Sequence, residues 1–243
     1  MAIIQCRNIK FPNIQAIFFD KNGTLEDSEV YLRSLGQKAA RLIDAQIPGI
    51  GEPLLMAFGI NGDILDHAGL IAVASRRETE VAAAAYIAET GRGWFESLKI
   101  ARQCLDEAEK YVNQTPAPLF PGTLEVLQSL STTGIKLGIL SAATTAEVRD
   151  FVARYQLSDY IQAQIGVDDG LTKPDPALFI HACQVLGVEP NATLMVGDSV
   201  GDMTMAHHAK AAGCIGISWV GKLDNVQGAD VVINKLNEIE IVS

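Results

Sequence analysis

Five polar residues each end, or lie just beyond, a run of apolar residues: Asp20, Ser141, Lys173, Asp198 and Asp202. Asp20 closes Ala16-Ile17-Phe18-Phe19, a run whose length and flanking turn signal fit a strand buried on both faces. The C-terminal edge of such strands is where open α/β sheets place their sites. Gly23 lets the backbone turn sharply just after it. In a parallel sheet all these strand ends share one edge, so residues distant in sequence converge. The chemistry on offer is specific. A carboxylate can act as a nucleophile or as a hard ligand for a divalent cation. The Ser141 hydroxyl, with nearby backbone N–H groups, can hold an anionic oxygen. A compact ammonium at Lys173 screens repulsion between anions.

The elements that must position these groups follow from the pattern of the chain. Residues 3–6 read as an edge strand and residues 15–19 as the central one. Residues 31–43, 79–89 and 94–112 carry Ala, Leu, Glu, Lys and Arg at helical spacing, with no strand-like run between them. This stretch reads as an all-helical insertion, interrupted by a turn at residues 58–63. Gln114-Thr115-Pro116-Ala117-Pro118 reads as a linker. Beyond it the spacing predicts helices over 123–131, 145–155, 175–186 and 200–212. These alternate with strands over 135–140, 161–167, 193–196, 214–218 and 230–233. Gly187 and Gly213 stand as helix stops. The alternation predicts an α/β class protein: a Rossmann-like parallel sheet covered on both faces, formed by residues 1–26 and 116–243, with a helical domain over 27–115 inserted.

Composition narrows the partners. A chain of 243 residues with 48% hydrophobic and 20% charged residues is globular. A net charge of −10 argues against nucleic acid or an anionic membrane as a general partner. No run of about 18 apolar residues occurs, and the first residues lack the basic and apolar regions of a signal peptide. The four cysteines, Cys6, Cys104, Cys183 and Cys214, are scattered and form no C-x-x-C pair. They read as reduced thiols in a cytoplasmic protein, monomeric or homodimeric.

Asp20-Lys21-Asn22-Gly23-Thr24 resembles the first motif of the haloacid dehalogenase (HAD) superfamily, D-x-D-x-T. Ser141 matches the second motif, Lys173-Pro174-Asp175-Pro176 the third, and Gly197-Asp198-Ser199-Val200-Gly201-Asp202 the fourth, GD-x-x-x-D. The resemblance implies a HAD-like core with a cap inserted between the first and second motifs. The cap's closure would exclude water and select a small phosphorylated metabolite. It further implies Asp20 as the nucleophile that forms an aspartyl-phosphate. Ser141, Ala142, Lys173 and Gly23 would bind phosphate. Mg²⁺ would be held by Asp20, Asp198 and the backbone carbonyl of Asn22, with Asp202 supporting the metal site from behind these ligands or through Lys173. The alternative for Ser141 is an N-cap of the next helix, for which Thr144 or Thr145 is better placed. Arg76, Arg77 and Arg92 read as surface residues, and His207 and His208 as packing or surface residues.

The departure is Asn22, which stands where the family has its second Asp. In the family that residue protonates the leaving alcohol and then activates water. A carboxamide does neither, because it does not titrate near neutral pH. General acid–base catalysis contributes about 10²–10⁴-fold, or roughly 3–5 kcal/mol of barrier. The resemblance therefore leaves several readings open. One is a slow phosphatase. Another is a long-lived phosphoryl-aspartate, as with the D-K-T-G-T motif of P-type ATPases. A third is related chemistry, as in HAD dehalogenases and in phosphonatases, for which Lys38 or Lys99 would be the cap lysine. The last is a binding or regulatory protein that keeps the fold. The first is the expectation.

Overall fold

The computed structural model describes residues 2–112, 116–168, 170–219 and 223–242. Gln114 and Thr115 of the expected linker lie outside them. The chain divides into two compact units, Met1–Asp27 with Leu119–Ser243, and Ser28–Pro118.

The chain opens with β1 (Ala2–Cys6), β2 (Ile9–Ile14) and β3 (Ala16–Phe19). The second unit then runs through α1 (Glu29–Gln46), α2 (Gly51–Phe58), β4 (Ile60–Asn61), β5 (Ile64–Leu65), α3 (Leu70–Val73), α4 (Arg76–Glu89) and α5 (Trp94–Val112). Back in the first unit come α6 (Thr123–Ser131), β6 (Lys136–Leu140), α7 (Thr145–Arg154), β7 (Ala163–Ile165) and α8 (Pro176–Leu186). The chain closes with β8 (Thr193–Gly197), α9 (Val200–His208), β9 (Gly213–Ile217), β10 (Val231–Ile233) and β11 (Ile239–Val242).

The first unit is built on a six-stranded parallel sheet in the order β10-β9-β8-β3-β6-β7. Strand β3 lies between β6 and β8, so Asp20 leaves the middle of the sheet. Its four residues are all buried because both faces are covered. Ile17 and Phe19 join one apolar cluster, and Ala16 and Phe18 join another, as the period of two requires. Phe18 meets Phe179 of α8 edge-on, with ring centroids 5.7 Å apart. Gly138 on β6 makes room for that ring, since a Cβ there would come within 2.4 Å of it. Helix starts are chemically marked. Thr144 and Glu147 form a capping box at α7, and Ser199 and Asp202 form one at α9. Asp175 caps α8 ahead of Pro176, and Gly187 ends that helix in the left-handed region.

Several elements differ from the expectation. The residue 3–6 strand does form, but in a separate three-stranded antiparallel sheet, β11-β1-β2. Neither partner was expected: β2 contains Pro12 and β11 is short, and both exist through pairing with β1. Helix α9 stops at His208 rather than Ala212. The Ala212 N–H is taken by Thr193 O at 2.9 Å, which draws the chain out of the helix and into β9. Strand β7 covers only Ala163–Ile165 of the expected 161–167, the length over which it pairs with β6.

The second unit has its own apolar core, built from Leu32, Ile43, Leu54, Phe58, Ile87 and Leu105 among others. It is helical, but not wholly so. Residues 58–63, expected as a turn, hold α2's left-handed cap at Gly59 and strand β4, which pairs antiparallel with β5 just beyond them. Helix α2 was not expected. Its Gly51 and Pro53 are poor helix formers, yet Pro is tolerated in a first turn. Among the described residues, no helix is long and apolar enough to cross a membrane.

Candidate active site

The loop after β3 is folded by its own backbone. Asp20 N–H donates to Val196 O of β8 at 2.8 Å, which fixes where the strand ends. Leu25 N–H and Glu26 N–H both donate to Lys21 O, at 2.9 and 3.1 Å, and Gly23 N–H donates to Glu26 O at 3.0 Å. Gly23 sits at φ +74°, and a Cβ there would lie 2.1 Å from Asp198 Oδ2. Glycine is thus required twice, for the turn and for the approach of the Asp198 carboxylate. Thr24 Oγ1 donates to Asp198 Oδ1 at 3.2 Å. Trp219 Nε1 donates to Gly23 O at 2.9 Å, and its ring stacks on Phe120 at 4.0 Å.

Carboxylate oxygens of Asp20, Asp198 and Asp202 lie within 4.8 Å of one another. Asp20 ends the central strand, Asp198 follows its neighbour β8, and Asp202 lies in the first turn of α9. Lys173 reaches this cluster from the loop before α8, not from a strand end, and places Nζ 2.6 Å from Asp20 Oδ1. Nζ is also 2.6 Å from Asp202 Oδ1, an ion pair off-axis for a hydrogen bond. The other Asp202 oxygen accepts the Ser199 hydroxyl at 2.6 Å. Gly197 leaves space for this carboxylate, since a Cβ there would meet Asp202 Cγ at 2.4 Å. Asp202 is fully buried with both oxygens engaged, which suits it to holding Lys173 in place.

Charge in this cluster is unbalanced: three carboxylates face one ammonium. Burial pushes the Asp20 carboxyl above its ordinary value, against the pull of Lys173. Asp198 is raised well above the usual range by burial first and then by Asp20 and Asp202. Asp198 keeps some solvent contact as a residue, which tempers that shift without reversing it. Burial alone opposes the charged form of Lys173, but Asp20 and Asp202 together hold its pKa above the ordinary lysine value. A buried set of hard oxygen donors with surplus negative charge fits a divalent cation.

Ser141 follows β6, the strand paired with β3 on the side opposite β8. Its N–H donates to Ile165 O at 3.0 Å, and its hydroxyl accepts the Ala143 N–H at 3.2 Å. The cap of α7 is Thr144, so Ser141 is not used for that purpose. Ala142 continues the turn between them. Asn22 lies in the loop after β3, and its side-chain oxygen accepts from Lys21 Nζ. Lys21, Glu26, Thr24, Ser199 and Trp219 were not singled out from the sequence. Thr24 was legible, as it belongs to the quoted motif; the Trp219 contact spans 196 residues and carries no sequence signal.

Other candidate groups are engaged elsewhere. Arg76 is paired with Glu80, Asp106 and Glu109 inside the second unit. Lys38 lies 4.1 Å from the centre of the Tyr111 ring. His207, Cys214 and Asp230 offer ligand atoms within 4.8 Å of one another, but each already serves the fold. His207 Nε2 bonds Gly228 O at 2.5 Å, Asp230 accepts the Cys214 N–H at 2.7 Å, and the buried thiol faces Met203 O.

A family model described as haloacid dehalogenase-like hydrolase matches residues 14–210. The phosphoglycolate phosphatase of Escherichia coli K12 is 28% identical over 240 residues, 95% of this chain and 92% of that one. The phosphoglycolate phosphatase of Salmonella typhi is 28% identical over 238 residues, with 95% and 92% covered. A β-phosphoglucomutase from Clostridium difficile shares the fold at a TM-score of 0.66 and 19% identity, over 93% of each chain. A HAD phosphatase from Thermococcus onnurineus does so at 0.61 and 23%, over 93% of this chain and 95% of that one. The matched stretch takes in the strand-end aspartate, the lysine that pairs with it and the two carboxylates beside it, and by it the chain belongs to the haloacid dehalogenase-like hydrolase family and is a hydrolase.

Proposed function

We propose that the protein is a Mg²⁺-dependent phosphomonoesterase acting on a small phosphorylated metabolite through an aspartyl-phosphate at Asp20. The observation that carries this reading is the Asp20 carboxylate at the centre of the parallel edge, clustered with Asp198 and Asp202 and paired with Lys173. Asp20, Asp198 and the backbone carbonyl of Asn22 would hold the cation, which when bound neutralises negative charge on the phosphoryl group. Asp202 acts through Lys173, to which it is paired.

Asp20 attacks phosphorus, the bond to the leaving oxygen breaks, and water later cleaves the acyl phosphate to return the carboxylate. Lys173 steadies the carboxylate and the incoming anion. Ser141 and the backbone N–H of Ala142 hold a phosphoryl oxygen, and Gly23 lets the chain come close. Turnover is slow, because Asn22 cannot carry a proton to the leaving group or from water. The relatives named as phosphoglycolate phosphatases make phosphoglycolate the first substrate to assay. The inserted unit is the part of the chain we assign to substrate selection.

The test is release of inorganic phosphate from a panel of phosphomonoesters with and without Mg²⁺. Asp20→Asn is expected to abolish turnover with the fold intact by circular dichroism; full activity in that variant would exclude the covalent route. Asn22 also favours a second reading, a phospho-ligand-binding protein. Binding of phosphate esters with no burst of product on mixing would select it.

A further inference from the structure

One peptide in the loop after β3 depends on a distant partner, that between Gly23 and Thr24. Glycine takes φ values of either sign at little cost, and Gly23 sits at φ +74°. The residue that must be glycine for Asp198 to approach is therefore also the one freest to rotate. The peptide before it is held by the Gly23 N–H, which donates to Glu26 O at 3.0 Å. Further on, Leu25 O accepts twice, from the Phe120 N–H at 3.0 Å and the Thr123 hydroxyl at 3.1 Å. On the Gly23–Thr24 peptide itself, the Thr24 N–H reaches Lys21 O only at 3.4 Å, longer than an ordinary N–H···O bond. Its carbonyl oxygen has the better partner, the Trp219 indole N–H at 2.9 Å.

Thr24 carries the consequence. It is fully buried, and its hydroxyl donates to Asp198 Oδ1 at 3.2 Å. A β-branched residue does not take up the positive φ that would cancel a flip of the preceding peptide. A change in Gly23 ψ therefore carries the Thr24 side chain with it, and the hydroxyl leaves the carboxylate. Trp219 comes to this peptide from β9, on the far side of β8 from β3, so the contact joins loops two strands apart. The half-buried indole is aimed by its stack on Phe120, with ring planes 12° apart, and its N–H needs an acceptor.

We infer that Trp219 is a positioning residue for the cation site. Its indole N–H fixes the Gly23–Thr24 peptide, which keeps the Thr24 hydroxyl on Asp198 and so presents that carboxylate to a divalent cation in one orientation. This rests on the reading that Asp198 is a ligand of Mg²⁺. Hydrogen-bond partners that orient a ligating carboxylate contribute to metal affinity without touching the metal. Trp219 acts through Thr24 and Asp198, so its loss appears in cation affinity more than in the chemical step.

The experiment is calorimetric titration of Mg²⁺ into the intact protein, with half-saturating Mg²⁺ for phosphate release as a second readout. Thr24→Val removes the hydroxyl and keeps the shape; it is expected to weaken Mg²⁺ binding about tenfold. Trp219→Phe keeps a ring on Phe120 and removes the N–H. It is expected to weaken Mg²⁺ binding about three- to tenfold and to raise half-saturating Mg²⁺ in proportion, with a smaller effect on kcat. Because Trp219 acts through Thr24, the double variant should bind Mg²⁺ no more weakly than Thr24→Val. Unchanged affinity in Trp219→Phe, even with a lowered melting temperature, overturns the proposal, and so does additive loss in the double variant. Should Trp219→Phe not fold, benzothienylalanine in place of Trp219, close in shape but lacking the N–H, decides by the same criteria. A wild-type chain that binds no Mg²⁺, or Asp198→Asn binding it as the wild type does, removes the cation reading itself. Affinity lost in Asp198→Asn but kept in Trp219→Phe removes only the role of Trp219.

Discussion

A single nitrogen stands at position 22 where the family motif has an oxygen, and on the proposed reading the rate is set there. Restoring the carboxylate with Asn22→Asp is expected to raise turnover of an aryl phosphate at least about tenfold, read as phosphate release under saturating substrate. No gain would mean that another group supplies the acid and base. Lys173 is the other residue on which the site turns. Its ammonium is shared by Asp20 and Asp202, both deeply buried. Lys173→Met leaves two buried carboxylates uncompensated. The expected loss is about 3–5 kcal/mol of unfolding free energy in a urea melt, together with loss of turnover.

The elements deliver these side chains through close approaches that only small residues permit. Gly23 is the clearest case, because a methyl group there collides with Asp198 and the backbone sits at φ +74°. Gly23→Ala should displace the Asp198 carboxylate and weaken Mg²⁺ binding by at least about tenfold in calorimetry, one hydrogen-bond-scale interaction with a charged group. Much at this scale was legible. Apolar runs such as Ala16–Phe19 and Lys136–Leu140 are short, continuous and end at polar residues, which marks strands covered on both faces. Helix starts were legible from Asp175-Pro176 and from Thr144 with Glu147. The end of α9 and the outer strands β2 and β11 of the small antiparallel sheet were not. Where α9 stops depends on the Thr193 carbonyl, and β2 and β11 depend on β1; these are distant partners with no local signal.

At the scale of the whole molecule, the cluster couples folding to pH and, on the proposed function, to a divalent cation. The pKa values of Asp20 and Asp198 are raised in the folded state, so the native protein holds those protons more tightly than the unfolded chain. Their contribution is favourable below the ordinary aspartate value and is lost as pH rises through the elevated ones. A divalent cation needs the deprotonated ligands, so its stabilisation grows over the same window. The melting temperature should therefore rise little with Mg²⁺ in acid and clearly at neutral pH. An equal rise at both would place the cation elsewhere.

The sequence by itself determined the alternation of buried strands and helices, and which polar residues stand at strand ends, because periodicity and turn chemistry are local properties. Only the tertiary structure decided which of those groups touch. Lys173 meets Asp20 across 153 residues, and Asp198 fits against Gly23 because no side chain intervenes. The direction of the Asn22 amide was also decided there, since it follows from where a neighbouring ammonium comes to rest once Glu26 has folded back to meet it.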